Sequence, residues 1–409
     1  MFPANVWDTP VVLVGLLAVV AAGVIARQSA FYKELVSKEI ASQRFHAIDG
    51  LRGYLALGVL LHHTTFNYGL YRDGIWGSQV SNLAAFIGPG SVSFFFMITA
   101  FLFWNRVIDK EGRMDAYKFY ISRLRRLLPM YLVAATLLIL TALTLTGFSL
   151  QVAPADLIKQ ILAWLLFTFP GTPDINGLSQ TYLINTVFWS LLWEWKFYIA
   201  LPLAAACAYT RYRWVFFVIL LLHLFLGPKV GFVWFFLAGC MAAVLTRQEF
   251  VQKLATTRIA SLIAISCLIA AVAYVPNRLP YYELRTALLL FVPFIIFAGG
   301  NTLFGLLCFR PARLLGLLSY SVYVLHNWVL FVLSRLADQY FSIGALSKEW
   351  YWLFGGLMTL TTIAFATITY RFVEYPYIQS SQPTISEHTP PRLRQLYRKL
   401  LWSWVQRKS

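Results

Sequence analysis

Arg52 and His63 are eleven residues apart in the segment HAIDGLRGYLALGVLLHH. At about 100° per residue this is three helical turns plus about 20°, so a helix puts both on one face, about 16 Å apart along its axis. A guanidinium suits a phosphate group, and an imidazole suits a general base. His62 falls about 80° off that face and reads as a packing residue. Glu194 is the one acidic residue well inside an apolar run, FWSLLWEWKFY. His326 closes another run, SYSVYVLH, and His223 lies in a third. A titratable side chain at membrane depth is costly, so each is either a candidate site residue or a neutralised structural group. For Glu194 the sequence offers three compensations: Lys196, an intramembrane histidine, or water in a cavity open to the outside. Arg123, Arg125 and Arg126 precede Pro129 and have the default reading of a basic flank on a membrane helix. Ser91, Thr99, Ser190 and Ser319 are candidate hydroxyls, and none has a marked base beside it in the sequence. No metal is expected, because His-x-x-x-His and similar spacings are absent.

The elements that position these groups follow from composition. Charged residues make up 12% of the 409 and hydrophobic ones 59%, against roughly 25% and 45–50% in soluble domains. This excludes a soluble globular enzyme, a disordered chain and a disulfide scaffold. Long unbroken apolar runs, without alternation, argue against a β-barrel. The expected fold class is all-α, a polytopic transmembrane helical bundle. About eleven spans are expected, at residues 10–26, 48–66, 83–104, 127–147, 187–208, 213–228, 230–246, 259–275, 286–303, 314–336 and 351–371. The first lacks the positive flank of a signal peptide and reads as a retained helix. The run 157–169 is too short to span and reads as interfacial or re-entrant. Cys207, Cys240, Cys267 and Cys308 are far apart and form no evident disulfide framework.

A net charge of +17 raises nucleic acid as a partner. The distribution of the charges argues otherwise, and no nucleic acid is expected. One set of alternate loops, with the tail, carries twenty-four Lys and Arg; the other carries six. That bias puts the N-terminus outside and the C-terminus in the cytoplasm of a multi-pass protein of the inner (plasma) membrane. Three parts are expected: an extra span and cytoplasmic loop over 1–47, a membrane domain over 48–376, and a basic cytoplasmic tail over 377–409. In the tail Leu393, Leu396, Leu400 and Trp404 have helical spacing, which suits a helix lying on an anionic leaflet.

From about His46 to Pro376 the chain resembles acyltransferase family 3, the integral membrane acyltransferases. The resemblance rests on separated blocks in order: HAIDGLRGYLALGVLLHH with its Arg–ten residues–His spacing, GSVSFFFMITAFLF, FYISRLRRLLPMY, FWSLLWEWKFYIALP, SYSVYVLH and VEYP. Each block alone is unspecific; the ordered set is specific. The second block departs from the family, with Ser93 where Asp is frequent and Thr99-Ala100 where Ser-Gly is frequent. The family core has ten spans, which makes span 10–26 the additional one.

The resemblance implies transfer of an acyl group, usually acetyl, from cytoplasmic acyl-CoA to a hydroxyl of an extracytoplasmic glycan or lipid-linked sugar, such as a surface polysaccharide. Acetyl-CoA would be the donor substrate. Arg52, Arg123 and Arg126 would face it from the cytoplasm, and His63, Glu194 and His326 would be the catalytic set. Some relatives carry a further extracytoplasmic domain, so a separate envelope-polysaccharide partner protein is a natural expectation. The rival reading is a transporter or flippase for a lipid-linked saccharide, with the same buried polar groups as its path.

Overall fold

The computed structural model describes residues 8–41, 45–77, 80–211, 213–215, 218, 231–278 and 280–379. The expected span 213–228 lies largely outside them, as do His223 and the amphipathic tail. Helices α1 (Thr9–Gln28), α2 (Ala30–Ile40), α3 (His46–Asp73), α4 (Asn82–Asp109), α5 (Ala116–Leu145), α6 (Pro154–Leu165) and α7 (Phe188–Ala208) are followed by α8 (Phe232–Leu245), α9 (Glu249–Ala255), α10 (Arg258–Arg278), α11 (Leu284–Ala298), α12 (Arg310–Asp338) and α13 (Lys348–Thr369). A π-turn, Tyr370–Glu374, leads into α14 (Tyr375–Gln379). Among the described residues there is no strand, only an isolated bridge between Ile175 and Leu178.

Among the described residues seven helices are long and apolar enough to cross a membrane, and α8 and α11 are shorter apolar helices. The protein is an all-α, multi-pass membrane protein. Helix α3 is not among the seven, although at 28 residues it is ample in length. Asp49, Arg52, His62, His63, Thr64, Thr65 and Asn67 make it too polar to face lipid. It is instead wrapped by α1, α4, α12 and α13. Such wrapping is the usual condition for polar groups at membrane depth.

Two segments differ from expectation. The loop after the first span contains α2, whose Tyr32 and Val36 are buried and whose Tyr32 hydroxyl donates to the Thr367 carbonyl at 2.5 Å. Arg313, one of the twenty-four basic residues that the sequence assigns to the cytoplasmic loops and tail, is 2% exposed. Its nearest carboxylate oxygen is Asp49 Oδ2 at 4.0 Å. The short run before α7 contains α6, an amphipathic helix with only Ala163 and Trp164 buried.

The seam between α3 and α12 is close because it is built on glycine. A Cβ on Gly50 would lie 1.7 Å from the Leu307 carbonyl oxygen, and one on Gly316 would lie 2.1 Å from that of Asp49. Small residues at helix crossings let backbones approach in this way. Along the seam Gly316 meets Asp49, His326 meets His63, and Ser334 accepts from Asn67 at 2.7 Å. Both sequences ascend together, so α3 and α12 run in the same direction.

Candidate functional site

Arg52 and His63 both lie on α3, but they belong to two separate constellations. Arg52 lines a cavity of about 1060 Å³. Its wall runs from Lys38, Arg106, Asp109 and Arg247 at one end of the bundle to Phe95, Ser190 and Tyr323 at mid-helix. Arg123, Arg126 and Glu194 line it as well. Arg123 stacks on Phe103, with its guanidinium carbon 4.7 Å from the ring centroid, and donates to Ser122 Oγ at 3.0 Å. Arg125 points away and is exposed.

Arg126 is not an independent cation. Its Nη1 lies 3.1 Å from Glu374 Oε2, and the Glu374 side chain is wholly buried. Ser321 donates to the other oxygen of that carboxylate. The π-turn adds a residue to the helical path and ends on Glu374. Such inserted turns are frequent at functional positions. A buried carboxylate of this kind requires its partner, so part of the charge of Arg126 is already committed.

Glu194 does not pair with Lys196. Lys196 is exposed and lies over the Trp193 ring at 4.0 Å. Among the described residues no histidine hydrogen-bonds the carboxylate. Its Oε1 instead accepts from Thr99 Oγ1 at 3.2 Å and from the Tyr198 hydroxyl. The cavity it faces is the one that holds Arg52, Arg123 and Arg126, at the N-terminal end of α3. The sequence places Glu194 near the outer end of its span; the packing of α7 against α4 turns it toward the arginines.

The histidines form the second constellation. His326 is fully buried and His63 half-buried. His63 Nδ1 lies 2.8 Å from His326 Nε2, with the rings stacked at 11°. His326 Nδ1 lies 3.1 Å from the Val322 carbonyl oxygen. A carbonyl only accepts, so His326 Nδ1 carries hydrogen and its Nε2 is the acceptor. His63 must then donate from Nδ1, which leaves His63 Nε2 as a free base. That nitrogen faces Thr186 Oγ1 at 3.4 Å. His62 is separate: its Nδ1 is 2.6 Å from the Ala84 carbonyl, and its ring packs into the space over Gly88. It reads as a packing residue here too.

Thr186 is absent from the sequence reading. It lies outside every apolar run, in the connection before α7, with no periodic signal to single it out. The connection is pinned to α12 on both sides of His326. Asn185 Nδ2 donates to the Val324 carbonyl at 2.8 Å, and Asn327 Nδ2 donates to the Leu183 carbonyl at 3.0 Å. Between the two constellations Ser190 Oγ and the Tyr323 hydroxyl pair at 2.6 Å. This pair stands at the inner end of the cavity, one helical turn before His326 on α12.

A family model described as an acyltransferase domain matches residues 45–371. The chain belongs to this family. A relative named peptidoglycan O-acetyltransferase OatA, from Listeria monocytogenes, is 24% identical over 374 residues, covering 81% of this chain and 55% of the relative. The Bacillus subtilis protein YrhL is 25% identical over 373 residues, covering 80% of this chain and 54% of its own. The chain therefore spans about half the length of these curated relatives. No solved structure matches it. The matched acyltransferase region holds the histidines and the three cavity arginines, with α3 opening it and α13 near its close, while Glu374 lies just beyond it.

Proposed function

We propose that the chain is a membrane O-acyltransferase. It takes an acyl group, most simply acetyl, from acyl-CoA on the cytoplasmic side. It delivers the group to a hydroxyl of an extracytoplasmic glycan or lipid-linked sugar. The relatives' names point to peptidoglycan as the acceptor class. The N-terminus lies outside and the tail in the plasma membrane's cytoplasmic shadow, following the charge bias of the loops.

One observation carries the reading. The hydrogen-bond chain from Val322 through His326 leaves His63 Nε2 as a base, just beyond the inner end of a cavity lined by Arg52, Arg123 and Arg126. Arginines suit the phosphates of CoA, and a cavity of this size can admit the narrow arm that carries the thioester. His63 then removes the proton of the attacking hydroxyl. His326, which does not line the cavity, acts as a positioning residue. Glu194 and its hydrogen-bond donors shape the donor cavity.

The test uses the purified full chain in detergent, acetyl-CoA, and soluble cell-wall or polysaccharide fragments. CoA release that rises with acceptor, and acetyl ester appearing on the glycan, are expected for the wild type and lost in His63→Ala. Glycan acetylation undiminished by His63→Ala, in protein of equal yield, would refute the assignment of the base.

A further inference from the structure

The Thr186 hydroxyl has an imidazole base beside it, whereas of the hydroxyls singled out in the apolar runs Thr99 meets the Glu194 carboxylate instead. We propose that Thr186 is a transient acyl carrier, so that transfer proceeds in two steps through an acyl-threonine ester. This deepens the reading above and rests on its acyl-CoA donor.

Three features of the geometry support it. The tautomer fixed by Val322 and His326 aims the His63 Nε2 lone pair at Thr186 Oγ1. The Asn185 and Asn327 side chains tie the connection to the α12 segment that carries His326, so hydroxyl and base are held by one frame. Thr186 also lies one helical turn before Ser190, which lines the inner end of the donor cavity. An acyl group leaving the cavity past Ser190 and Tyr323 therefore meets Thr186 on the side away from the arginines. A nucleophile held against an oriented base is the usual architecture of covalent acyl transfer.

The chemistry balances. Thr186 Oγ1 attacks the thioester carbonyl carbon, and His63 Nε2 takes the hydroxyl proton. The C–S bond breaks, and the proton passes to the departing thiolate, giving free CoA and an acyl-threonine ester. The acceptor hydroxyl then attacks the ester carbonyl while His63 Nε2 takes its proton. Thr186 Oγ1 leaves with that proton, and the acyl group is on the glycan. CoA never has to cross the membrane, and the ester waits at the far end of the cavity.

The experiment incubates the full chain in detergent with radiolabelled acetyl-CoA and no acceptor, quenches in acid, and maps protein-bound label by peptide mass spectrometry. The wild type is expected to hold hydroxylamine-labile acetyl on the peptide containing Thr186, approaching about one per chain. Thr186→Val keeps the volume and removes the nucleophile. It should carry no label and lose transfer by about a hundredfold or more, while Thr186→Ser restores both. With acceptor present, double-reciprocal plots should be parallel, as a two-step mechanism requires. Intersecting plots, or a Thr186→Val variant that transfers at the wild-type rate, would overturn the carrier and leave the acyl-CoA reading intact. Wild-type protein that releases no CoA with any acceptor would overturn the donor reading and the carrier together.

Discussion

Replacing His326 tests whether the second histidine works by fixing the first. In His326→Leu the His63 Nδ1–H loses its acceptor at 2.8 Å. The variant protein can relax by moving that proton to Nε2, where it donates to Thr186 Oγ1. Only a lone pair is then stranded, but His63 in this tautomer is no longer a base. Regaining the productive tautomer means carrying an orphaned buried N–H, which costs about 1–3 kcal/mol. At about 1.36 kcal/mol per factor of ten, kcat should fall about 5- to 160-fold. The KM for acetyl-CoA should not move, because His326 is not on the cavity wall. In His326→Gln the amide oxygen can sit where Nε2 was and accept from His63, so kcat should return to within about tenfold of wild type. The assay is steady-state CoA release with saturating acceptor, normalised to monodisperse protein. A Leu variant within twofold of wild type, or a Gln variant as slow as Leu, would refute the tautomer argument. A loss confined to KM would do the same.

Three further outcomes follow from the cavity and the seam. Arg52→Ala should weaken acetyl-CoA binding by about ten- to a hundredfold, the worth of a charge-assisted hydrogen bond at about 1.5–3 kcal/mol, with Arg52→Lys recovering only part; unchanged affinity by titration calorimetry would remove Arg52 from the donor site. Glu194→Gln keeps an oxygen for Thr99 and Tyr198 and removes a negative charge beside the arginines, so donor KM should shift by at most about fivefold, about 0.2–1 kcal/mol for a screened charge, with turnover preserved. Collapse of turnover at unchanged affinity would instead make Glu194 a proton-transfer group. Gly316→Ala drives a methyl toward the Asp49 carbonyl and should cost about 1–3 kcal/mol of stability, read as a lower Tm in detergent; an unchanged Tm would show that the α3–α12 seam can open without penalty.

The sequence by itself determined the class of the fold and most of its elements. Uninterrupted apolar runs require helices in a bilayer, because each helix satisfies its own backbone hydrogen bonds. The expected positions therefore coincide with α1, α3, α4, α5, α7, α8, α10, α11, α12 and α13. Helical periodicity also separated His62 from His63, since the angle between adjacent residues on a helix is fixed whatever surrounds it. The ordered blocks identified the family, which the match over 45–371 bears out.

Tertiary structure decided which polar groups meet. Periodicity places Arg52 and His63 on one face, but it cannot say that one opens onto a cavity while the other is paired with a histidine 263 positions away. For Glu194 the sequence left open a lysine, a histidine or water in a cavity. Tyr198 is one turn on along α7 itself, and the packing of α4 beside α7 adds Thr99, so that two neutral donors meet the Glu194 carboxylate. Arg126 and Arg313 looked like solvated flanks, because a sequence carries no record of the carboxylate a helix end will bury against them. Thr186 was illegible for a related reason. Its place against His63 is set by two asparagine side chains that hold an irregular connection to another helix. Local spacing encodes positions along a helix, whereas a site assembled across helices depends on close backbone approach, here at Gly50 and Gly316, which only the folded chain reveals.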